Sequence, residues 1–450
     1  MLTAESIKQL LDIHSIPYTL VEHEHYNSLS RQAEEQGFSL ESTVRLVHFE
    51  HADDHFITMF PVTQVLDIEQ LQNQLILDAA PTLSKNSGQT ASDETLINRF
   101  PQTTLIFDKS LENIFEIIIP LSPDDSFIKL SDSHLNQLRE KSRILDFSVA
   151  VEDILNSDFS DGLNFRKKRI IDKIEDIEGL PAMPEMGYRV LQSSRDPESD
   201  ASDLAKVIEV DPSLSAQVMS YSTSAFYGYQ GEISSVREAI SRVLGFELVA
   251  NMAVGIALGS AFKIPADGPL GLSCFWRDAV YSAALVEKLS KSLPADFKVK
   301  PGLAYLCGLL HNFGHLLVGH LYTPGFKILN QLISANPDID INILERFSLG
   351  TTHNDIGAYL LEKWQMPDET IDTSRWHHAD NNQELSIYVH LVQIVDRILW
   401  RQGIGDAISG ELPVRSLNAL QMTEDEVLTV IEPMLQTCTE LDNLATQLAG

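Results

Sequence analysis

Residues 306–318 read LCGLLHNFGHLLV. Apolar residues fill this stretch at helical spacing, and His311, Asn312 and His315 interrupt it. A helix so apolar is buried, so polar side chains on it must either satisfy one another or bind something. The same period, apolar at i, i+3 and i+4, runs through 201–210, 213–222, 234–261, 273–292, 302–320 and 342–364, and also through 166–178. Residues from about 165 onward therefore read as all-α.

The first third has a different period. RLVHF (45–49), HFITMFPV (55–62), TTLIF (103–107), IFEIIIPL (114–121) and FIKL (127–130) are short, β-branched runs, several of them bounded by turn residues. Helical patterns at 4–13, 67–76 and 131–142 lie among them. The expectation is a multidomain chain. An α/β domain spans 1–145, an acidic linker 146–164, an all-α domain 165–405 and a C-terminal helical extension 406–450, the last with two amphipathic patterns.

The chain has 450 residues, 44% hydrophobic and 22% charged, with a formal net charge of -31. Such a field repels DNA, RNA and anionic membranes unless a basic patch overrides it. The one compact basic run, Arg166 to Arg169, reads as a solvated linker or helix start. Cys274, Cys307 and Cys438 have no C-x-x-C spacing and an odd count, which argues against a disulfide framework. No signal-peptide pattern opens the chain, and Leu248 to Phe262 is too short to span a bilayer. A cytoplasmic protein is expected, with no DNA and no membrane partner.

Histidines are absent between His134 and His311. Then come His311, His315, His320, His353, His377, His378 and His390. Imidazole is the commonest protein metal ligand. His311 and His315 share a helix face, but Asn312 stands where a zinc protease would carry its base. Cys307, one turn before His311, reads as a buried structural thiol. The aromatic set Phe226, Tyr227 and Tyr229 reads as core or interface.

LPAMP (180–184), the segments 208–228 and 233–258, FWRDAVYSA (275–283), CGLLHNFGHLL (307–317), THNDIGAYLLEKWQMP (352–367), RWHHAD (375–380) and VQIVDRI (392–398) occur in order. Together they resemble the HDOD domain, a bacterial signalling relative of the HD and HD-GYP phosphodiesterases. The resemblance places the family's metal positions at Asp278, His311, Asn312, His353, His377, His378 and Asp396. Two depart from the catalytic pattern: Asp278 replaces a His, and Asn312 replaces the metal-bridging Asp. A carboxamide offers one neutral oxygen, so a two-metal hydrolytic site is hard to build. No cofactor is expected, although the remaining set could still hold one divalent ion, zinc, manganese or iron.

In the first third, the helix at 4–13, IPYTLVEH (16–23), a helix near 29–37, TVRLVHF (43–49) and HFITMFPVTQVLDIEQL (55–71) resemble the YbaK/ProX aminoacyl-tRNA deacylase family. That resemblance puts Arg45 at the family's functional Lys. Arg keeps the charge but not the proton chemistry. The glycine-rich substrate loop has no clear counterpart; SKNSGQT (84–90) is nearest and lacks the Pro. No catalytic residue is assigned. The resulting expectation is a signal-transduction protein without catalysis, its HDOD domain meeting a protein partner or ligand and its deacylase-like domain acting as a degenerate sensor. An aminoacyl-tRNA deacylase regulated by the HDOD domain, and a metal-dependent phosphohydrolase, are the alternatives; tRNA is disfavoured by charge.

Overall fold

In a computed structural model of the chain, alternate residues of the first-third strands face two separate cores. The structure describes residues 2–22, 29–83, 103–121, 126–156, 180–224, 227, 229, 231–379, 384–436 and 439–449. The 84–90 loop, the basic run 166–169, the helical pattern 166–178, Phe226 and Cys438 lie outside them. The chain divides into two units: residues 1–161 with 328–347, and residues 162–327 with 348–450.

The first unit holds strands β1 (Thr19–Glu22), β2 (Val44–His51), β3 (Asp54–Pro61), β4 (Gln64–Leu66), β5 (Thr82–Leu83), β6 (Thr104–Asp108), β7 (Glu116–Leu121), β8 (Ser126–Ser131), β9 (Arg143–Leu145) and β10 (Ser148–Ala150). Five form a mixed sheet in the order β5-β2-β3-β6-β9, in which β2 and β3 are an antiparallel hairpin and β3, β6 and β9 run parallel. A three-stranded sheet β1-β8-β7 and a pair β10-β4 complete it. Helices α1 (Ala4–Ile13), α2 (Leu29–Gln36), α3 (Ile68–Leu75), α4 (Asp132–Glu140) and α5 (Val151–Asn156) lie among them.

Side chains alternate across a strand, so the five-stranded sheet has two apolar faces. Val44, Leu46, Ile57, Met59, Leu105 and Phe107 pack with α1 and α4 through Leu10, Leu11, Leu135 and Leu138. Val47, Phe49, Phe56, Phe60 and Ile106 pack on the other face with Ile68 and Leu71 of α3, and with Leu332 and Ala335. Those last two come from far along the chain.

Two boundary expectations are corrected. Residues 146–164 are not all linker: Phe147 is fully buried, Ser148–Ala150 pairs with β4, and α5 follows. Phe147 supplies an apolar anchor that the acidic composition of the segment conceals. The stretch 165–405 is not continuous either. Residues 328–347 belong to the first unit, because Leu332, Ala335 and Phe347 meet the apolar sheet face left open by α3.

The second unit is helical throughout its described residues, apart from turns and loops. It contains α6 (Glu185–Arg195), α7 (Ala201–Ile208), α8 (Pro212–Ser222), a one-turn helix followed by a π-helical turn at Ala239–Leu244, α9 (Phe246–Gly259), α10 (Leu272–Lys291), α11 (Pro301–Leu310) and α12 (Phe313–Leu321). α13 (Thr323–Ala335) and α14 (Ile341–Leu349) carry the chain out to 328–347 and back. α15 (His353–Lys363), α16 (Asp368–Trp376) and α17 (Ile387–Trp400) follow. Three helices, not two, end the chain: α18 (Val414–Leu420), α19 (Glu424–Leu435) and α20 (Thr439–Ala449). Asp442 of α20 accepts from Arg277 Nε and from Tyr281 Oη of α10, each at 3.0 Å. The 406–450 segment is thus part of this unit's body. No described helix is long and apolar enough to cross a membrane.

Candidate functional site

Six helices and one loop of the second unit meet around a group of imidazoles and carboxylates. α10 contributes Asp278 from its second turn. The break between α11 and α12 contributes His311 and Asn312, and the first turn of α12 contributes His315. His353 opens α15, His377 and His378 follow the end of α16, and Asp396 lies on α17. The loop after α17 brings in Asp406. All but His378 and Asp406 are buried, and the side chains of those two are only 5% and 9% exposed.

Close backbone approach sets this geometry. A Cβ at Gly314 would stand 2.0 Å from the carbonyl oxygen of His353, so only glycine lets α12 touch the start of α15. The loop carrying Asp406 turns through Gly403 and Gly405, both at positive φ (66° and 84°).

Two half-sites can be distinguished. In the first, Asn312 Nδ2 donates to Asp278 Oδ2 at 3.0 Å. His311 Nε2 stands 3.7 Å from Asp278 Oδ2 and 3.7 Å from Asp396 Oδ1. Its other nitrogen, Nδ1, is 2.7 Å from the Gly308 carbonyl oxygen. A carbonyl only accepts, so Nδ1 carries a proton and Nε2 faces the two carboxylates. His311 Nε2, Asn312 Oδ1 and both oxygens of Asp396 are buried without a hydrogen-bond partner.

In the second half-site, Asp406 Oδ2 lies 3.3 Å from His315 Nε2, 3.4 Å from His378 Nε2 and 3.8 Å from His353 Nε2. His353 Nε2 faces His377 Nε2 at 3.2 Å. His377 Nδ1 is within 3.1 Å of the Thr373 and Ser374 carbonyl oxygens, which fixes its proton there. His315 stacks on His353 with ring centroids 4.1 Å apart.

Electrostatics separates the carboxylates. Burial pushes Asp396 up to about 7, partly offset by His311. Burial raises Asp278 as well. Burial would also raise Asp406, but His378, His315 and His353 together hold it well below the usual carboxylate range. Burial, then the charges of His378, His311 and His353, depresses His377 well below an ordinary imidazole. The unpartnered atoms of His311, Asn312 and Asp396 leave the first half-site open. In the second, the ligand atoms of His353, His377, His378 and Asp406 all lie within 4.8 Å of one another, a spacing that fits a cation.

A cavity of about 220 Å³ adjoins the cluster, lined by Leu270, Cys274, Arg277, Asn312, His315 and Asp406 among others. Cys307 is buried away from solvent, and burial raises its thiol, which leaves it chemically inert. His320 accepts from the Lys263 backbone and His390 pairs with Ser416, so neither joins the cluster. Tyr227 stacks edge-on against Tyr221 within the unit.

All seven positions expected from the sequence converge. Two residues join them that the sequence reading did not place: His315, weighed only as part of a protease pattern, and Asp406, which no local pattern marks.

Arg45, the candidate of the first unit, points from β2 onto the sheet face that packs against 328–347. It is buried, its Nη1 donates to Asn336 Oδ1 at 2.9 Å, and its Nη2 donates to the Val62 carbonyl and to Asp338, each at 3.2 Å. Its guanidinium also lies 5.5 Å from the Phe60 ring centroid.

Comparison with known proteins agrees with the helical unit. Residues 180–380 match the HDOD domain. The crystal structure of a "putative signal transduction protein" from Marinobacter aquaeolei VT8 is 25% identical and superposes with a TM-score of 0.80 over 99% of each chain. An HDOD domain protein with unknown function from Geobacter sulfurreducens, 21% identical, aligns with 64% of this chain and 99% of its own at a TM-score of 0.50. An uncharacterized protein of Treponema pallidum (strain Nichols) is 27% identical over 209 residues, which are 46% of this chain and 39% of that relative. The chain thus matches only about two fifths of that curated relative's length. Residues 180–380 thus carry an HDOD domain.

Proposed function

We propose that this chain is a non-catalytic bacterial signal-transduction protein, whose HDOD unit presents a binding surface to a protein partner or ligand. The observation that carries this reading is the Asn312–Asp278 hydrogen bond. The position that should supply a bridging carboxylate is an amide, and it is already spent as a donor to the neighbouring carboxylate. A hydrolytic site of the two-metal kind needs an anionic bridge and an open coordination position for water. Asp278, His311, Asn312, His353, His377, His378 and Asp396 would then be a converted metal site, holding at most a single divalent ion.

In the first unit, the deacylase-like reading takes the form of a sensor that has lost its chemistry. Arg45 is held on three sides by Asn336, Val62 and Asp338, which leaves it no freedom to meet an aminoacyl ester. The net charge of -31 disfavours tRNA as a partner.

The test is turnover by the full chain, loaded in turn with manganese, iron and zinc. We expect no hydrolysis of bis(p-nitrophenyl) phosphate or of cyclic dinucleotides, and no deacylation of mischarged tRNA. Turnover in any of these assays that an active-site variant abolishes would overturn the reading.

A further inference from the structure

We propose that Asp406 replaces the carboxylate lost at position 312. With His353, His377 and His378 it would form a closed, four-ligand tetrahedral site for one zinc-like ion. This rests on the reading above and deepens it, because a site whose four positions are all protein ligands has none left for a substrate water.

The geometry comes first. Bonds of about 2.0–2.1 Å in a tetrahedron put ligand atoms about 3.3–3.4 Å apart. The observed separations are 3.2 Å for His353 Nε2 to His377 Nε2, 3.4 Å for His378 Nε2 to Asp406 Oδ2 and 3.8 Å for His353 Nε2 to Asp406 Oδ2. All six separations lie within 4.8 Å, so small side-chain rotations would bring the four atoms to tetrahedral spacing. Two nitrogens face each other at 3.2 Å, a distance set by a shared hydrogen or a shared ion. The orientation of His377 suits the ion. Its Nδ1 proton is bound to the Thr373 and Ser374 carbonyls, the outer contact that metal-bound imidazoles usually make, and this aims the Nε2 lone pair inward.

The carboxylate is the second argument. Asp406 Oδ2 is crowded by three imidazoles while its Oδ1 is buried without a hydrogen-bond partner. It arrives on a loop outside the matched 180–380 segment, through Gly403 and Gly405. A Cβ on Gly405 would stand 3.0 Å from Asp278 Oδ1, so the loop is seated against the cluster. His311, Asn312, Asp278 and Asp396 form the other half-site and take no part in binding this ion.

The experiment is titration of chelator-stripped full-length protein with Co²⁺ and Zn²⁺, read by elemental stoichiometry and the Co²⁺ ligand-field spectrum. We expect one ion per chain with an intense, tetrahedral spectrum. Asp406→Asn should weaken binding by more than about 100-fold, beyond the 10–100-fold typical of an outer-shell partner. His320→Gln, outside the cluster, should leave affinity within a few-fold. Urea unfolding of each stripped variant shows that it folds. Unchanged affinity in a folded Asp406→Asn, a six-coordinate spectrum, or no bound ion at all would overturn the proposal. Absence of an ion together with absence of turnover would sink this site and leave the non-catalytic reading standing. A tetrahedral Asp406-dependent ion together with turnover would do the reverse.

Discussion

Asn312 and Asp278 are joined by a 3.0 Å hydrogen bond in which the amide donates to the carboxylate. The pair sits 34 residues apart in sequence, on adjacent elements, and is buried on both sides. An aspartate at 312 would turn this attraction into repulsion between two buried carboxylates.

Asn312→Asp should therefore destabilise the metal-free protein by about 2–3 kcal/mol, the scale of a lost charge-assisted bond plus a buried like-charge contact. Divalent metal should recover that loss, since an ion between the two carboxylates removes the repulsion. Urea unfolding with and without Mn²⁺ or Zn²⁺ checks both halves. A variant that takes up no more metal than the parent would count against an emptied metal cage at this half-site.

Asp396 gives a pH dependence. Its folded-state value, raised by burial to about 7, lies above the usual carboxylate value near 3.8. Between those values the folded state binds more protons than the unfolded chain, so this residue's contribution to stability falls as pH rises from about 4 to about 7. His377, depressed by burial, acts oppositely below about 6.5, so the parent's profile mixes the two. Asp396→Asn isolates the effect. In metal-free protein, the stability of the variant relative to the parent should climb across pH 4–7 and then level off. Denaturant midpoints at four or five pH values measure it, and a flat difference would show that Asp396 is ionised in the folded state.

Gly314→Ala should break the site from outside it. The added methyl would meet the His353 carbonyl oxygen at 2.0 Å, and backbone on both sides prevents an inexpensive retreat. A loss of about 3 kcal/mol or more is expected, at the upper end for overpacking. Metal binding through His353 should weaken in parallel. Thermal unfolding and metal titration on the same sample would show the two together.

Arg45→Lys tests the deacylase-like proposal, and the local chemistry predicts loss and no gain. Lysine cannot span Asn336, Val62 and Asp338 at once, so buried acceptors lose their donors. Asp338 is 42% exposed, so the ion pair adds little by itself. A destabilisation of about 2 kcal/mol is expected. Limited proteolysis should cut faster within 328–347, and deacylation should stay absent.

Much of the fold was legible because its signals are local. The runs at 45–49, 55–62, 103–107, 114–121 and 127–130 became β2, β3, β6, β7 and β8. Helical spacing at 201–210, 213–222 and 273–292 became α7, α8 and α10. Alternation and 3.6-residue periodicity act within a few residues, and burial rewards them wherever the chain folds. The identity of Asn312 was equally plain, since an amide cannot do a carboxylate's work in any fold.

What lay beyond the sequence was which distant residues meet. Arg45 and Asn336 are 291 residues apart, and nothing near either one marks the contact. The helical stretch 328–347 looked like its neighbours, because the apolar side chains that cover a sheet face are the same ones that cover a helix. Asp406 reads as one more acidic residue in an acidic chain. Only the turn through Gly403 and Gly405 carries its carboxylate among His315, His353 and His378. The sequence alone determined the two kinds of secondary structure and the amide at position 312. The tertiary structure decided where the remaining charges go, because a buried carboxylate must find counter-charge wherever the packed backbone brings it.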